Sequence, residues 1–414
     1  MELFQVILVA VLLCISVDAR PYLRDVSTFS VPAKYNARYR FNPHREWLKI
    51  SQKYGVPLPD RHQLTGGIIP VDKSSGPGKG TVPAWNQTND REYLSPVLVG
   101  TPPQLIHLDL DTGSADLWFL YRWVFSSDTP SRQVAGQKIY RPESSTSSSR
   151  VANTTWAISY GDGSFAAGTV YNDIVQLGNV VLPNATIESA GTVSSSLTSD
   201  RSMSGLLGLA INHPSTAWPK QPTILQQLGD QLDNNLFSVD LKYQAEGTYD
   251  FGYIDRSKYT GNITYHKVDA TSHFWKFNLE RIHVSSMNTW YIHHWPMVAD
   301  TGTTLMLLPE ELVDMYWSQV PGAHMDEFYD GYLFPCNQSS ALPDFEFGFN
   351  DGWVGKVPGH YMNFENITKT ECYGGIQYGF PDMEFGILGD TWLKSMYVVF
   401  DAGNERIGFA NKAL

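Results

Sequence analysis

Two Asp-Thr-Gly sequences, at residues 111–113 and 300–302, are the residues of this chain best suited to chemistry. Each follows an apolar run, in HLDLDTGSADLW and in MVADTGTTLMLLP. A single Asp-Thr-Gly is weak evidence, because Asp and Gly are favoured in any turn after a strand. Two carboxyls within hydrogen-bond reach, here Asp111 and Asp300, share one proton, so an acid stands beside a base. Such a pair can deprotonate water and protonate a carbonyl oxygen, as peptide hydrolysis without a nucleophilic side chain requires.

The residues that follow each aspartate are predicted to support the pair. The glycines let the backbone approach each carboxylate, and the next residue of each turn can donate a hydroxyl hydrogen bond to it. The central threonines are expected to point away and tie the two turns together. These supporting residues are Thr112, Gly113, Ser114, Thr301, Gly302 and Thr303. The pair titrates as a unit, so the shared proton is assigned to neither aspartate.

An internal repeat indicates how the two turns are brought together. In the first half the turn is followed by GLLGLA at 205–210, and in the second half by FGILGDTW at 385–392. Each half thus has an apolar strand, an Asp-Thr-Gly turn and a later apolar pair before a glycine. The repeat predicts two related lobes with one turn each, and a boundary near residue 265.

Short alternating runs predict a mainly β fold. YLSPVLVG, QLIHLDL, TTWAISYG, FSVDLKY and MYVVFDA are rich in Val, Ile, Tyr, Trp and Thr and are bounded by turn residues. Helical signals are few, at 222–232 and at 309–320, where Pro309 and two acids form a favourable helix start.

The N-terminal region predicts export and processing. Residues 1–19 resemble a secretory signal peptide; the alternative is a signal anchor, although the apolar run is only about 12 residues long. We expect a propeptide and linker at 20–80, an N-terminal lobe at 81–265 and a C-terminal lobe at 266–414. No later run or C-terminal tail indicates a membrane anchor. The destination is predicted to be extracellular, with an acidic vacuole as the open alternative.

Cysteines and glycosylation sequons agree with this pathway. Cys14 leaves with the signal peptide, so Cys336 and Cys372 are predicted to form one disulfide. The sequons are at Asn86, Asn153, Asn184, Asn262, Asn337 and Asn366. No CxxC or HExxH spacing occurs, so neither a metal site nor a cofactor is predicted.

Charge is divided unevenly between the N-terminal segment and the rest of the chain. Residues 20–80 contain 11 Lys and Arg against 4 Asp and Glu, whereas residues 81–414 contain 19 against 36. An acidic mature protein argues against nucleic acid as a partner. The asymmetry favours an intramolecular clasp that weakens when acid pH protonates the carboxylates. The alternative is that the basic stretch is a solvated linker.

Several longer motifs resemble the pepsin family of aspartic proteases, and most closely its fungal secreted members. They are EYLSPVLVGTPPQ, LDLDTGSADLW, ISYGDGSFAAG, ADTGTTL and ILGDTWLKSMYVVFDAGNERIGFA, in matching order and spacing from the propeptide onward. The resemblance implies a bilobal β fold with a substrate cleft between the lobes and a hairpin flap over it. We expect a monomer that acts on proteins and peptides.

The resemblance also assigns flap residues. Tyr160 matches the flap tyrosine and Trp118 its hydrogen-bond partner, although Tyr160 alone would read as an ordinary hairpin aromatic. Gly161, Asp162 and Ser164 belong to the same flap. Asp162 with Ser164 resembles relatives that accept lysine before the scissile bond; the alternative is that Asp162 only shapes the YGDG turn. Otherwise large apolar residues are expected on both sides of the cut.

In the propeptide, NPHREWLKISQKYGVPLPD matches a segment that family members place across the active site. Lys53 and Tyr54 are therefore expected to block the two carboxyls, with a surface lysine on an amphipathic helix as the alternative. Ala115 and Ser204 depart from the residues more usual in the family, Ser and Asp. Ser204 is expected to alter packing beneath the carboxyl pair.

The sequence thus predicts a secreted aspartic endopeptidase, made as a zymogen and active at acid pH. A catalytically dead binding or inhibitor module is the main alternative. Such proteins usually lose a catalytic Asp, a turn Gly or the flap Tyr, and this sequence retains all of them. A metalloprotease is excluded for want of ligand motifs.

Overall fold

The alternating runs of the sequence form β-strands throughout the described part of the chain. The computed structural model describes residues 29–35, 50, 53–54, 93–125, 138–159, 165–178, 180–193, 204–229, 231–380 and 383–414. The prediction of a mainly β fold is confirmed. Ile50 and Lys53 are helical, and the α-helices with described bounds are α1 (Ile224–Gly229), α2 (Glu310–Trp317) and α3 (Asp390–Leu393). Helices α1 and α2 lie within the two predicted helical segments.

The strands of the described ranges, in chain order, are β1 (Phe29–Tyr35), β2 (Tyr93–Val99), β3 (Gln104–Asp111), β4 (Leu117–Phe125), β5 (Ser149–Ser159), β6 (Phe165–Leu177), β7 (Val180–Val193), β8 (Gly205–Gly208), β9 (Leu236–Lys242), β10 (Ala245–Phe251), β11 (Thr260–Lys267), β12 (Lys276–Val284), β13 (Tyr291–Ala299), β14 (Met306–Leu308), β15 (His324–Asp326), β16 (Gly331–Pro335), β17 (Phe345–Gly348), β18 (Val354–Val357), β19 (Asn363–Asn366), β20 (Glu371–Gly374), β21 (Ile376–Tyr378), β22 (Gly386–Leu388), β23 (Met396–Asp401) and β24 (Arg406–Asn411).

These strands form three sheets in the described residues. The largest has the spatial order β11-β24-β23-β9-β10-β1-β2-β3-β8-β4-β7-β6-β5. The second has the order β18-β17-β12-β13-β22-β14-β21, and the third β15-β16-β20-β19. Strands β3 and β13, which lead to the two Asp-Thr-Gly turns, thus lie in different sheets, as a bilobal fold requires.

The internal repeat of the sequence is also a repeat of strand pairing. Strand β3 runs parallel to β8, which is antiparallel to β4. In the second half β13 runs parallel to β22, which is antiparallel to β14. The amide of Gly208 donates to the carbonyl of Asp116 at 2.9 Å, and that of Gly389 donates to Leu305 at 3.1 Å. Asp116 and Leu305 each lie five residues after an aspartate of the pair, so both halves use the same local construction.

Strand β1 lies in the segment predicted to be the propeptide, where no strand was expected. It pairs antiparallel with β10, from Phe29 opposite Phe251 to Ala33 opposite Gly247. Its end pairs with β2, where Lys34 lies opposite Leu94. The N-terminal segment is therefore part of the largest sheet. The predicted lobe boundary at residue 265 falls inside β11.

A cluster of aromatic rings fills the core near the first turn. Phe237 stacks on Phe400 with ring centroids 4.8 Å apart, and Trp275 meets Phe400 edge-on at 5.1 Å. The indole of Trp275 donates to the carbonyl of Leu209 at 2.9 Å. Burial of each large side chain contributes about 1.5–3 kcal/mol, so this cluster supports the segment after β8. Within the described residues, none of the helices has the length and apolar character needed to cross a membrane.

Candidate active site

The two turn aspartates are buried and receive matching hydrogen bonds. Asp111 ends β3 and Asp300 follows β13; their exposed fractions are 1% and 0%. Asp111 accepts the Gly113 amide at 2.9 Å on Oδ1 and the Ser114 hydroxyl at 2.6 Å on Oδ2. Asp300 accepts the Gly302 amide at 3.0 Å on Oδ1 and the hydroxyl of Thr303 on Oδ2. Each carboxyl is thus held in a defined orientation by its own turn.

The central threonines of the two turns hydrogen-bond to each other. The Thr112 amide donates to Thr301 Oγ1 at 3.1 Å, and the Thr301 amide donates to Thr112 Oγ1 at 3.0 Å. Each hydroxyl then donates across to the opposite strand, Thr112 to the Ala299 carbonyl at 3.0 Å and Thr301 to the Leu110 carbonyl at 2.5 Å. This reciprocal exchange joins the two lobes directly beneath the carboxyls.

The turn glycines leave room for the facing carboxylate. A Cβ added to Gly302 would collide with Oδ1 of Asp111, and one added to Gly113 would lie 2.7 Å from Oδ1 of Asp300. Real Cβ atoms do not approach so closely, so any side chain here would push the carboxyls apart. The close approach of the two turns therefore requires glycine in both.

The structure places Lys53 and Tyr54 at this pair. The Lys53 ammonium donates to Asp111 Oδ1 at 2.6 Å, and to Asp300 Oδ1 and Oδ2 at 2.7 and 2.8 Å. The Tyr54 hydroxyl donates to Asp300 Oδ2 at 2.8 Å. Burial raises the pKa of Tyr54 well above its ordinary value, and the charges of Asp300 and Asp111 raise it further. The phenol therefore stays protonated and remains a donor, while one cation lies between the two acids.

Two aromatic residues that the sequence analysis missed surround the Tyr54 ring. Phe274 lies 4.7 Å from it between ring centroids, and Phe385 lies 5.3 Å away in an edge-on contact. Neither belongs to an Asp-Thr-Gly turn. Phe385 is the first residue of the FGILGDTW stretch of the repeat, and this position is the sequence signal that could have identified it.

Within the part of the chain that the structure describes, the other predicted site residues take no part in the contact of Lys53 and Tyr54 with the carboxyl pair. Trp118 is buried in β4 and stacks on Trp156 at 6.3 Å. The flap residues Tyr160, Gly161, Asp162 and Ser164 lie outside the described residues. In the described ranges, no group of three His, Cys, Asp or Glu side chains is arranged to hold a metal ion.

Ser204, expected from the sequence to alter packing beneath the carboxyl pair, lies just before β8. It comes four residues before Gly208, which pairs with Asp111. Its amide donates to the His107 carbonyl at 3.0 Å, and its hydroxyl is buried with no hydrogen-bond partner among the described residues. Ala115, the other departure from the family pattern, is buried close to Gly208, where a Cβ added to Gly208 would meet the Ala115 backbone at 2.5 Å.

Cys336 and Cys372 form a disulfide in the C-terminal half. It links β20 to the residue after β16, while these two strands already pair. The described sequon asparagines are all exposed: Asn153, Asn184, Asn262, Asn337 and Asn366. Asn86 lies outside the described residues.

A second pair of acids, also missed by the sequence analysis, lies just beyond the first turn. Asp116 and Glu188 have exposed fractions of 5% and 1%. Asp116 accepts the Thr216 amide at 2.7 Å, while Oε2 of Glu188 has no hydrogen-bond partner within the described ranges. Burial raises the pKa of Asp116, and burial together with the neighbouring Asp116 raises the pKa of Glu188 well above its ordinary value. Both causes favour the protonated form of Glu188.

Comparisons with known proteins agree with this geometry. A family model described as eukaryotic aspartyl protease matches residues 92–412. Podosporapepsin of Podospora anserina is 42% identical over 385 residues, which cover 90% of this chain and 88% of that protein. Endothiapepsin of Cryphonectria parasitica is 41% identical over 396 residues, covering 92% and 91%. The crystal structure of the aspartic proteinase from Irpex lacteus has a similar fold, with a TM-score of 0.62 at 23% identity over 78% of this chain and 94% of that one.

Proposed function

Because the chain belongs to the eukaryotic aspartyl protease family and is an aspartic-type endopeptidase, we propose that Asp111 and Asp300 are its catalytic carboxyls and that it is made as a self-inhibited precursor. One observation carries both proposals: a single ammonium, that of Lys53, lies within 2.8 Å of both buried aspartates. Removal of residues 20–80 would expose the carboxyls to substrate and water.

The proposed reaction uses the two carboxyls in complementary protonation states. The ionised carboxyl takes a proton from water as its oxygen attacks the scissile carbonyl carbon, and the protonated carboxyl gives its proton to the carbonyl oxygen. Collapse of the tetrahedral intermediate breaks the C–N bond, and the departing nitrogen takes up the proton that the first carboxyl received from water. The second carboxyl regains its proton from a hydroxyl of the intermediate as the product carboxyl group forms. The amide and hydroxyl donors of the two turns hold the carboxyls in place throughout, so little reorganisation is needed.

The reaction is expected to require acid pH, because one carboxyl must keep its proton. Large apolar residues on both sides of the cut are proposed as preferred, since Phe274 and Phe385 already contact the Tyr54 ring beside Asp300. Secretion, glycosylation of exposed sequons and a monomeric state belong to the same proposal. The N-terminal signal-like segment supports secretion, and the exposure of Asn153, Asn184, Asn262, Asn337 and Asn366 supports glycosylation.

Amide substitutions test the dyad. Asp111→Asn and Asp300→Asn should each lower kcat/KM for an unfolded protein substrate at acid pH by more than about 100-fold, a loss above ~2.7 kcal/mol, because an amide can neither take nor give the proton. Asp233→Asn, at an exposed position, is the matched control and should retain full activity. If either dyad variant kept more than about a hundredth of the wild-type rate, the assignment would be wrong.

Acid incubation of the precursor tests the zymogen. The wild-type precursor should shorten its own N-terminus, whereas the two dyad variants should remain intact under the same conditions. N-terminal sequencing over time is the measurement. A wild-type precursor that stayed intact at acid pH and hydrolysed no protein would instead favour the catalytically dead binding module.

A further inference from the structure

Two histidines from distant parts of the chain lie side by side near the carboxyl pair. The rings of His213 and His273 meet edge-on with centroids 5.8 Å apart. His213 follows the GLLGLA stretch, and His273 ends a 3₁₀ turn in a left-handed conformation with φ 64°. Neither residue belongs to a motif used so far, and 60 positions separate them in sequence.

The backbone sets which nitrogen of each ring is available. Nδ1 of His213 lies 3.0 Å from the Pro214 carbonyl, and Nδ1 of His273 lies 2.7 Å from the Asn212 carbonyl. Because a carbonyl only accepts, each Nδ1 carries the hydrogen and each Nε2 is the nitrogen that can take up a further proton. In the described part of the chain no hydrogen bond engages either Nε2. His273 is exposed and His213 half-buried, so solvent and substrate can reach the pair.

Ring contacts connect the histidines to the side of the dyad where Tyr54 lies. His213 lies 5.7 Å from Phe274, and Phe274 lies 4.7 Å from Tyr54, whose hydroxyl donates to Asp300. Tyr54 belongs to the segment that must leave before substrate can bind. If a substrate side chain takes the place of the Tyr54 ring, the Phe274 ring would lie between that side chain and the histidine pair. The pair would therefore lie farther from the scissile bond than that side chain does.

The charged groups around the pair place little negative charge beside it at acid pH. Asp116 is the acid that faces His213, and it is buried behind it with a raised pKa, so it is readily protonated. On the His273 loop, Asp269 is paired with Lys276 at 2.8 Å. Lys220 adds positive charge nearby, with its ammonium on the Ser215 carbonyl at 2.5 Å. Acidification therefore removes negative charge from the surroundings of the pair.

We propose that His213 and His273 form a cationic subsite that selects substrates with an acidic side chain two or three residues from the scissile bond, on the side occupied by Tyr54. This inference rests on the proposed function. Between about pH 4.5 and pH 6 a substrate carboxylate is ionised while an aqueous imidazole still carries its proton. Charge-assisted hydrogen bonds from the two Nε2 atoms would then hold the carboxylate. Below this window an aqueous carboxylic acid is neutral, and above it an aqueous imidazole is neutral.

The test uses matched peptides with one apolar pair at the cut and either Asp or Asn at the second or third position on either side. For the wild-type enzyme at pH 5, kcat/KM should favour Asp over Asn by about 5-fold, equivalent to about 1 kcal/mol, on one side of the bond only. The preference should disappear at pH 3 and at pH 7. It should also decrease at high salt, because the subsite is partly exposed.

Variants assign the preference to the two rings. His213→Asn with His273→Asn should abolish it while cleavage of the Asn peptide stays near the wild-type rate. His324→Asn is the matched control, since His324 is another exposed imidazole with Nδ1 3.2 Å from a backbone carbonyl, that of Gly322. It should leave the preference unchanged.

Two results would overturn the subsite: equal rates for the Asp and Asn peptides with the wild-type enzyme at pH 5, or a preference that survives in the double variant. The wild-type pH profile needs no variant, so it decides the question even if the double variant folds poorly. Failure of the wild-type enzyme to cleave even the Asn peptide would count against the proposed function instead.

Discussion

At the scale of single residues, the aspartate, threonine and glycine of each Asp-Thr-Gly turn have different roles. The aspartates point at each other's lobe, the threonines join the lobes, and the glycines give each carboxylate room. A side chain at either glycine would push the carboxyls apart. Even a 1 Å displacement of a reacting group can cost about 100-fold in rate, so the turns tolerate little variation.

The buried acids Asp116 and Glu188 predict a pH dependence of stability. Their folded-state pKa values are raised above the ordinary values of 3.8 and 4.5, so the folded protein keeps a proton that the unfolded chain releases above those values. The contribution of this pair to the free energy of unfolding is fully present below about pH 4 and is lost as the pH rises toward the folded-state pKa values. The pair therefore stabilises the enzyme at acid pH and destabilises it near neutrality.

Asp116→Asn should flatten this dependence, because an amide can accept from the Thr216 amide and donate to an ionised Glu188. When the pH rises from 4 to 6.5, the free energy of unfolding should fall by about 1–3 kcal/mol less in the variant than in the wild type. This difference is the usual cost of a buried polar group that has no hydrogen-bond partner. Urea unfolding at both pH values is the measurement, with Asp233→Asn as the exposed control. Parallel losses in variant and wild type would contradict the prediction.

At the scale of elements, each Asp-Thr-Gly turn is positioned by the same pairing of three strands, which occurs once in each half of the chain. A short strand, β8 or β22, lies between the strand before the turn and the strand after it. Its apolar residues are fully or nearly fully buried, so hydrophobic burial keeps the turn at the end of a covered sheet. The disulfide of Cys336 and Cys372 strengthens a different element, the sheet of β15, β16, β20 and β19.

Removal of this disulfide should destabilise the folded protein. The bridge spans a sequence separation of 36, and closing a loop of this length in the unfolded chain corresponds to about 3–4 kcal/mol. Cys336→Ser with Cys372→Ser should lower the free energy of unfolding in urea by that amount. Since Cys372 is fully buried, chemically reduced wild-type protein is the control that leaves packing unchanged. An unchanged unfolding midpoint in both would refute the stabilising role.

At the scale of the whole molecule, the N-terminal segment is held at two separate places. Strand β1 is built into the largest sheet between β10 and β2, and Lys53 lies between the catalytic candidates. The segment is basic and the remainder strongly acidic, so long-range attraction is expected to add to these contacts. In the proposed precursor, release would then need both a loss of charge attraction and the breaking of strand hydrogen bonds.

Salt should promote this release at a pH where the carboxylates are still ionised. Raising the ionic strength from about 0.01 M to about 0.1 M shortens the Debye length from about 30 Å to about 10 Å, which screens the attraction. The rate of N-terminal shortening just above its acid threshold should rise at least about twofold. Cleavage of a small uncharged peptide by the mature enzyme controls for effects of salt on the chemistry. A processing rate that does not respond to salt would argue for the solvated-linker interpretation.

The sequence by itself determined the mainly β fold, the two helices and the duplicated Asp-Thr-Gly turns, because alternation and turn chemistry act between near neighbours. Tertiary structure decided which distant side chains meet. The contact of Lys53 with Asp300 across 247 positions was indicated only by the family resemblance, and Asp116, just before β4, meets Glu188 of β7. The incorporation of β1 into the largest sheet and the meeting of His213 with His273 are of the same kind. Such contacts depend on how whole sheets pack and on burial that removes water from charged groups, and neither is encoded in local periodicity.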